Sequence, residues 1–371
     1  MNVTSVSSIF SKMPFLWKSQ VPGRINPAFT LFALSVTLVG VIILAVGKGA
    51  FPLHPAEVVT ILLGHVGITL DVPVSSQQEA VLMTIRLPRV LLGLLAGASL
   101  AVSGASLQAL FRNPLADPGL IGVSGGAALA VASLIVLGAT TFQGLTQLLG
   151  VYTLPVGGFA GGMLTTFIIY AMARQEGRTS LIGMLLMGIA VNALAFAGIG
   201  LFSFFANDEQ LRNITFWSFG SLGSANWRIV SAIGAPLIVV FVLLSRLGPG
   251  LNALLLGESE ATHLGYNVQT LKRTIIVLTA LCTGFIVATC GIIGFVALIA
   301  PHIIRIVCGP DNRVVIPGAA LLGAILMILA DLIARIAVTP AELPIGIVTA
   351  LVGAPFFMVL LFKQRRTFFG E

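Results

Sequence analysis

VLLGLLAGASLAVSGASLQALFRNPLADPGLIGVSGGA, residues Val90 to Ala127, is the stretch that decides the fold. Its first part, Val90 to Ala109, carries no charge and is as long as the roughly 20 apolar residues needed to cross a bilayer core. It breaks at Asn113, Pro114, Asp117 and Pro118, and a second apolar run starts at Leu120. Backbone polar groups in hydrocarbon must be satisfied internally, which leaves helices or a closed barrel. Long Leu, Ala and Gly runs without polar-apolar alternation select helices. The stretch therefore predicts span, hinge, span.

The rest of the chain repeats the pattern. Of 371 residues, 57% are hydrophobic and 9% charged, against about 25% charged in soluble domains. Further spans are expected near Ala28 to Val46, Thr153 to Met172, Leu181 to Phe205, Ile229 to Leu244, Thr274 to Cys290, Ile292 to Val307, Val314 to Val338 and Ile345 to Phe362. With Val90 to Ala109 and Leu120 to Leu137 this makes an all-α bundle of about ten transmembrane helices, the seventh and eighth nearly continuous. Close glycines such as Gly93 with Gly97, Gly157 with Gly161 and Gly158 with Gly162 predict tight packing between helices. Ile214 to Gly223, beside Phe216, Trp217 and Trp227, is too short to cross and reads as a small helix at the outer interface.

Two halves of five spans have opposite orientation, as an inverted repeat requires. The hinge at Asn113 to Pro118 then corresponds to Pro301, Gly309, Pro310 and Asp311. With the amino terminus inside, Lys48, Arg86, Arg89, Arg212, Arg228 and Arg335 fall outside and the other fourteen of the 20 Lys and Arg fall inside. That bias puts both termini in the cytoplasm. The expected division is a cytoplasmic segment 1–27, a membrane domain 28–363 with a cytoplasmic loop 248–269, and a cytoplasmic tail 364–371. The first 25 residues lack the apolar core and cleavage site of a signal peptide.

Several function classes are excluded. The basic residues sit in short loops rather than on one face, so the positive charge describes membrane orientation and not nucleic-acid binding. Cys282, Cys290 and Cys308 have no zinc or redox spacing and read as packing residues. His54, His65, His263 and His302 form no i,i+3 or i,i+4 pair, so no metal site is expected, and His302 beside Pro301 is expected to help satisfy a broken helix. Gly47-Lys48 lacks the rest of a phosphate loop. No Ser/His, paired-Asp or HExxH constellation shares a membrane depth, which argues against an intramembrane enzyme. An ion-coupled carrier would need coupling charges at mid-membrane, and Asp331 is the one acid well inside a span.

The run Arg86 to Ala127 resembles the signature region of the FecCD-type permeases that import iron siderophores, heme and cobalamin. GFVALIAPHIIR, Gly294 to Arg305, and ADLIARIAVTPAELPIGIVTALVGAPFF, Ala330 to Phe357, resemble the same family. The resemblance implies a homodimer of ten-helix subunits in the bacterial inner membrane. Two separate ATPase subunits, which carry the ATP and Mg, would bind its cytoplasmic face, and a periplasmic binding protein would deliver cargo. No cofactor is expected on this chain. TFWSFGSLGSANW, Thr215 to Trp227, leans the resemblance towards heme, with ferric siderophore and then cobalamin behind it.

Candidate residues follow. GPGLNALLLGESEATHLGYNVQ, Gly248 to Gln269, sets Leu251, Leu254, Leu255 and Leu256 before Glu258 and Glu260, and a solvated connector does not need four leucines in six residues. Gly265 is placed to stop a helix. The family's coupling helix matches here, which implies ATPase contact by Leu254, Leu255, Leu256, Gly257, Glu258, Ala261, Leu264 and Gly265. Arg86 and Arg89 flank the outer mouth of the second span and Arg335 the outer end of the ninth. The resemblance implies that they receive carboxylates of the binding protein, a task suited to the guanidinium fork; snorkelling or an internal pair is the alternative. Asp331 and Arg335, one turn apart, are in the favourable order for a structural ion pair. Met184, Met187 and Asn192 on the fifth span are candidates to line the path, with core packing the equal alternative.

Overall fold

The computed structural model describes residues 25–368 apart from 50, 52, 66, 69, 71, 176, 339 and 340. The expected segment 1–27 therefore lies almost wholly outside the described residues. The elements are α1 (Pro27–Gly47), α2 (Pro55–Gly64), α3 (Ser76–Phe111), α4 (Val123–Leu137), α5 (Gln143–Leu149), α6 (Thr153–Met172) and α7 (Leu181–Phe205). They continue as α8 (Asp208–Ser218), α9 (Trp227–Arg246), α10 (Gly248–Leu256), α11 (Glu258–His263), α12 (Val268–Cys290), α13 (Val296–Cys308), α14 (Asn312–Ile336) and α15 (Ile345–Phe368). A two-residue hairpin, β1 (Arg174–Gln175) with β2 (Arg178–Thr179), joins α6 to α7.

Among the described residues, seven helices are long and apolar enough to span a bilayer: α1, α3, the run Gln143–Met172 that ends in α6, α7, α9, α12 and α14. The shorter apolar helices α4, α13 and α15 complete ten crossings. Asn26, the 174–179 hairpin and Asp311 mark one end of the bundle, called here the hairpin end; Gly47, Arg86, Trp227 and Glu342 mark the opposite end. Successive crossings alternate between these ends, so the first and last five have opposite polarity.

Helix α3 is the axis. Its apolar core is 78% buried and that of α7 only 11%, so α3 is central and α7 a rim helix. It crosses α14 where a Cβ on Gly97 would come within 2.1 Å of the Gly323 carbonyl, and passes α13 where one on Gly104 would come within 1.8 Å of the Ala297 carbonyl. Only glycine permits such approaches, and the resulting backbone contact replaces the hydrophobic drive that lipid does not supply. Gly161 and Gly162 let α6 approach α4 in the same way.

The expected spans hold for Thr153–Met172 and Leu181–Phe205 to the residue, and four corrections stand beside them. Helix α3 does not begin at Val90 but runs unbroken from Ser76 through a π-turn at Val81–Arg86, so Arg86 and Arg89 sit within a helix. The seventh and eighth spans are not continuous: α12 starts six residues before Thr274, residues 291–295 are non-helical, and α13 has 13 residues. The small helix is Asp208–Ser218 rather than Ile214 to Gly223, started by an Asn207–Gln210 capping box. The last helix continues past Phe362 to Phe368.

The hinge correspondence is also corrected. In each half the second crossing is long and the third short, entered through irregular backbone: Pro118–Gly122 before α4 and Gly291–Phe295 before α13. Pro301 lies inside α13, and Gly309 to Asp311 is merely the turn into α14. Phe295 adopts φ 68°, a conformation unusual for a bulky residue, and is held by its ring contact with Phe357 at 6.3 Å and by Gly353. Backbone freed at this break is reclaimed by protein: Ser221 N donates to Cys290 O at 2.7 Å.

Candidate functional site

Two polar constellations and one apolar surface stand out from the bundle. At the opposite end, Asp331 on α14 is 2% exposed and accepts from two arginines. Arg89 Nε reaches Oδ1 and Arg335 Nε reaches Oδ2, each at 2.9 Å. The remaining Arg89 nitrogens grip Glu342 bidentately at 3.0 and 2.9 Å. Arg335 also donates to the carbonyls of Ala45 at 3.1 Å and Lys48 at 3.2 Å. Arg86 donates to the carbonyls of Val46 at 2.6 Å, Gly47 at 3.1 Å and Phe51. The last turn of α1 leaves carbonyls without intrahelical donors at its negative dipole end, and two guanidinium groups supply them.

Arg86, Arg89 and Arg335, the expected docking residues, thus all engage acceptors within the chain. Arg86 and Arg89 are 5% and 8% exposed, and both donate to internal acceptors. Arg89 and Arg335 form internal pairs, whereas Arg86 meets backbone carbonyls. Nothing in the sequence revealed that Glu342 reaches Arg89. Glu342, its side chain 48% exposed, was missed.

At the hairpin end the 248–265 segment folds as α10 and α11, broken at Gly257, whose φ of 141° favours glycine, and stopped at Gly265 with φ 88°. The leucines divide. Leu251, Leu254 and Ala261 are core residues at 0%, 2% and 0% exposure, whereas Leu255, Leu256 and Leu264 face out. Leu254 and Ala261, among the expected coupling residues, are turned under the segment by the helical repeat and anchor it to the core.

Polar clamps fix the segment at both ends. Asn252 donates to Asp311 Oδ1 at 2.5 Å, and its own Oδ1 accepts from the backbone and side chain of Asn312 at 2.8 and 2.9 Å. Although burial alone would raise Asp311, its bonds to Arg313 and Asn252 hold the carboxyl below its ordinary value. Glu258 pairs with Lys272 on α12 at 2.7 Å. Asn252, Asn312 and Lys272 were not singled out from sequence and Asp311 only as a hinge residue; Asn252 lies about 60 positions from Asp311 and Asn312, and only the fold brings them together.

Of the candidate path residues, Met184 is fully buried and Met187 half-buried against the core. Asn192 Nδ2 donates to Gly119 O at 2.9 Å, tying α7 to the turn that enters α4. Core packing describes Met184, and tethering describes Asn192. His302 does not satisfy broken backbone either: it lies inside α13, its ring 6.3 Å from that of Phe356, and its Nε2 has no partner among the described residues.

Residues 36–363 match the FecCD transport family. The hemin transport system permease protein HmuU of Yersinia pestis is 45% identical over 286 residues, 76% of this chain and 83% of that protein. The cobalamin import system permease protein BtuC of Halobacterium salinarum is 39% identical over 292 residues, 79% and 76% of the two chains. Among solved structures, a metal-chelate type ABC transporter in an inward-facing conformation has a TM-score of 0.78 at 33% identity, covering 91% of this chain and 100% of the other.

Proposed function

The chain belongs to the FecCD transport family, and on that premise we propose that it is the membrane-spanning permease subunit of an ATP-driven importer of an iron chelate, heme in particular. One observation carries the energetic half of this reading. Leu256 and Leu264, 70% and 59% exposed, and Leu255 beside them project from a short two-helix element at the hairpin end, outside the apolar spans and next to acidic Glu258 and Glu260. Burying such a side chain is worth about 1.5–3 kcal/mol, and a patch of three on a rigid platform suits a protein partner. Because the sequence carries no phosphate loop, that partner is the ATPase.

The rest of the assembly follows the family: a homodimer, two ATPase subunits beneath it and a binding protein at the opposite end, with both termini cytoplasmic in a bacterial inner membrane. At that opposite end Arg86, Arg89 and Arg335 are occupied, so a binding protein's carboxylate would meet Arg89 in exchange for Glu342. Heme is favoured over ferric siderophore and cobalamin by the similarity to a hemin permease. An ion-coupled carrier is disfavoured because Asp331 is neutralised by two arginines.

The test is reconstitution in liposomes with the cognate ATPase and binding protein, ATP on the ATPase side, and uptake of heme, a ferric siderophore and cobalamin compared. Heme accumulation that stops without the ATPase supports the proposal. Accumulation by the permease alone refutes the ATP-driven reading, and preference for either other chelate refutes the cargo.

A further inference from the structure

Lys272 is the buried cation that the function described so far leaves unused. Its side chain is 3% exposed, near the start of α12. Its ammonium group has two partners on different elements: Glu258 Oε1 on α11 at 2.7 Å and the Thr179 carbonyl at the end of the hairpin at 3.2 Å. Gln269, one turn earlier on the same face of α12, accepts from the Thr179 amide at 3.0 Å. Both backbone groups of Thr179 are thus held by α12. The next residue, Ser180, is the N-cap of α7, its Oγ accepting from Gly183 N at 3.0 Å. Thr179, Ser180, Glu258 and Lys272 share the wall of a cavity of about 1050 Å³ at the hairpin end.

A buried ammonium that loses its carboxylate is left with an uncompensated charge, so Lys272 follows Glu258 when α11 moves. Following it, Lys272 pulls on or releases the Thr179 carbonyl and with it the first turn of α7. We propose that Lys272 is a positioning residue that couples displacement of the α10–α11 segment to the entry of α7 at the mouth of this cavity. The linkage rests on reading that segment as the ATPase-facing element. It gives the stroke a route that bypasses the Asn252–Asp311 clamp: one end of the segment stays anchored to α14 while the other moves α7.

The experiment compares wild type with Lys272→Met, Lys272→Arg, Glu258→Gln and the swap Lys272→Glu/Glu258→Lys in the full complex. Cargo moved per ATP hydrolysed is the readout, which factors out differences in ATPase occupancy. Lys272→Met and Glu258→Gln are each expected to lower this ratio about tenfold, the two combined no further than either, and Lys272→Arg to keep most of it; the swap, which restores the ion pair but sets a carboxylate that cannot donate against the Thr179 carbonyl, is expected to stay low. An unchanged ratio in Lys272→Met overturns the proposal, as does a loss that Lys272→Arg does not rescue. Should Lys272→Met fail to fold, Glu258→Gln, whose side chain is 43% exposed, decides the matter alone.

A second measurement needs no ATPase. In the permease by itself, Lys272→Met or Glu258→Gln is expected to speed amide exchange across residues 178–184 about tenfold; no change overturns the linkage. If instead the ATPase stays bound to a Leu255→Asp/Leu256→Asp variant, the ATPase-facing reading fails while the exchange result still reports on Lys272.

Discussion

Replacing Asp331 by Asn leaves shape almost unchanged and removes one buried negative charge. The carboxylate is 3% exposed and stands between Arg89 and Arg335, whose side chains are 10% and 9% exposed. Taking one member from a buried ionic cluster costs about 3–5 kcal/mol, because the partner charge stays buried without compensation. Arg89 keeps Glu342, so the uncompensated charge falls mainly on Arg335, and the lower half of that range, about 3 kcal/mol, is expected for Asp331→Asn. The Glu342→Gln change removes a carboxylate that is 48% exposed, where water takes over, and is expected to cost under about 1 kcal/mol. Reversible SDS unfolding of the purified protein in mixed micelles measures both. The cluster also predicts non-additivity: Asp331→Asn with Arg335→Met should be less damaging than the sum of the single changes by more than about 1 kcal/mol. If Asp331→Asn proves as mild as Glu342→Gln, or the pair adds simply, the carboxylate is not the centre of the network.

Leu254→Asp is expected to prevent folding, since the side chain is buried, whereas Leu255→Asp/Leu256→Asp should leave the permease folded and release the ATPase; copurification and size-exclusion profiles distinguish them. Gly97→Ala should cost upwards of about 1–3 kcal/mol by forcing α3 and α14 apart, while Gly64→Ala, with open space around it, should be tolerated; yields of folded protein report the difference. Because the folded-state pKa of Asp311 is depressed, its contribution is present above the unfolded carboxylate value of about 3.9 and lost as pH falls through the lower folded value. The destabilisation caused by Asp311→Ala, measured by thermal unfolding at neutral pH, should therefore shrink below about pH 4.

What the sequence alone determined is the solvent and the periodicity: apolar runs of membrane length, glycines spaced for close approach, and basic residues gathered in short loops. These suffice for ten crossings because each follows from local composition and the thickness of hydrocarbon. Breaks and starts were less legible where backbone is satisfied by distant groups, as at Gly291 to Phe295, or where a helix runs on past the membrane, as α3 does before Val90. The charged centres were legible as residues but not as partners. Arg89 and Leu254 were legible as candidates, but that Glu342 reaches Arg89 over 253 positions and that α10 turns Leu254 onto the core are visible only in the fold. Which side of a helix is covered, and which distant carboxylate reaches a given guanidinium, are properties of packing in three dimensions, so only the tertiary structure decided them.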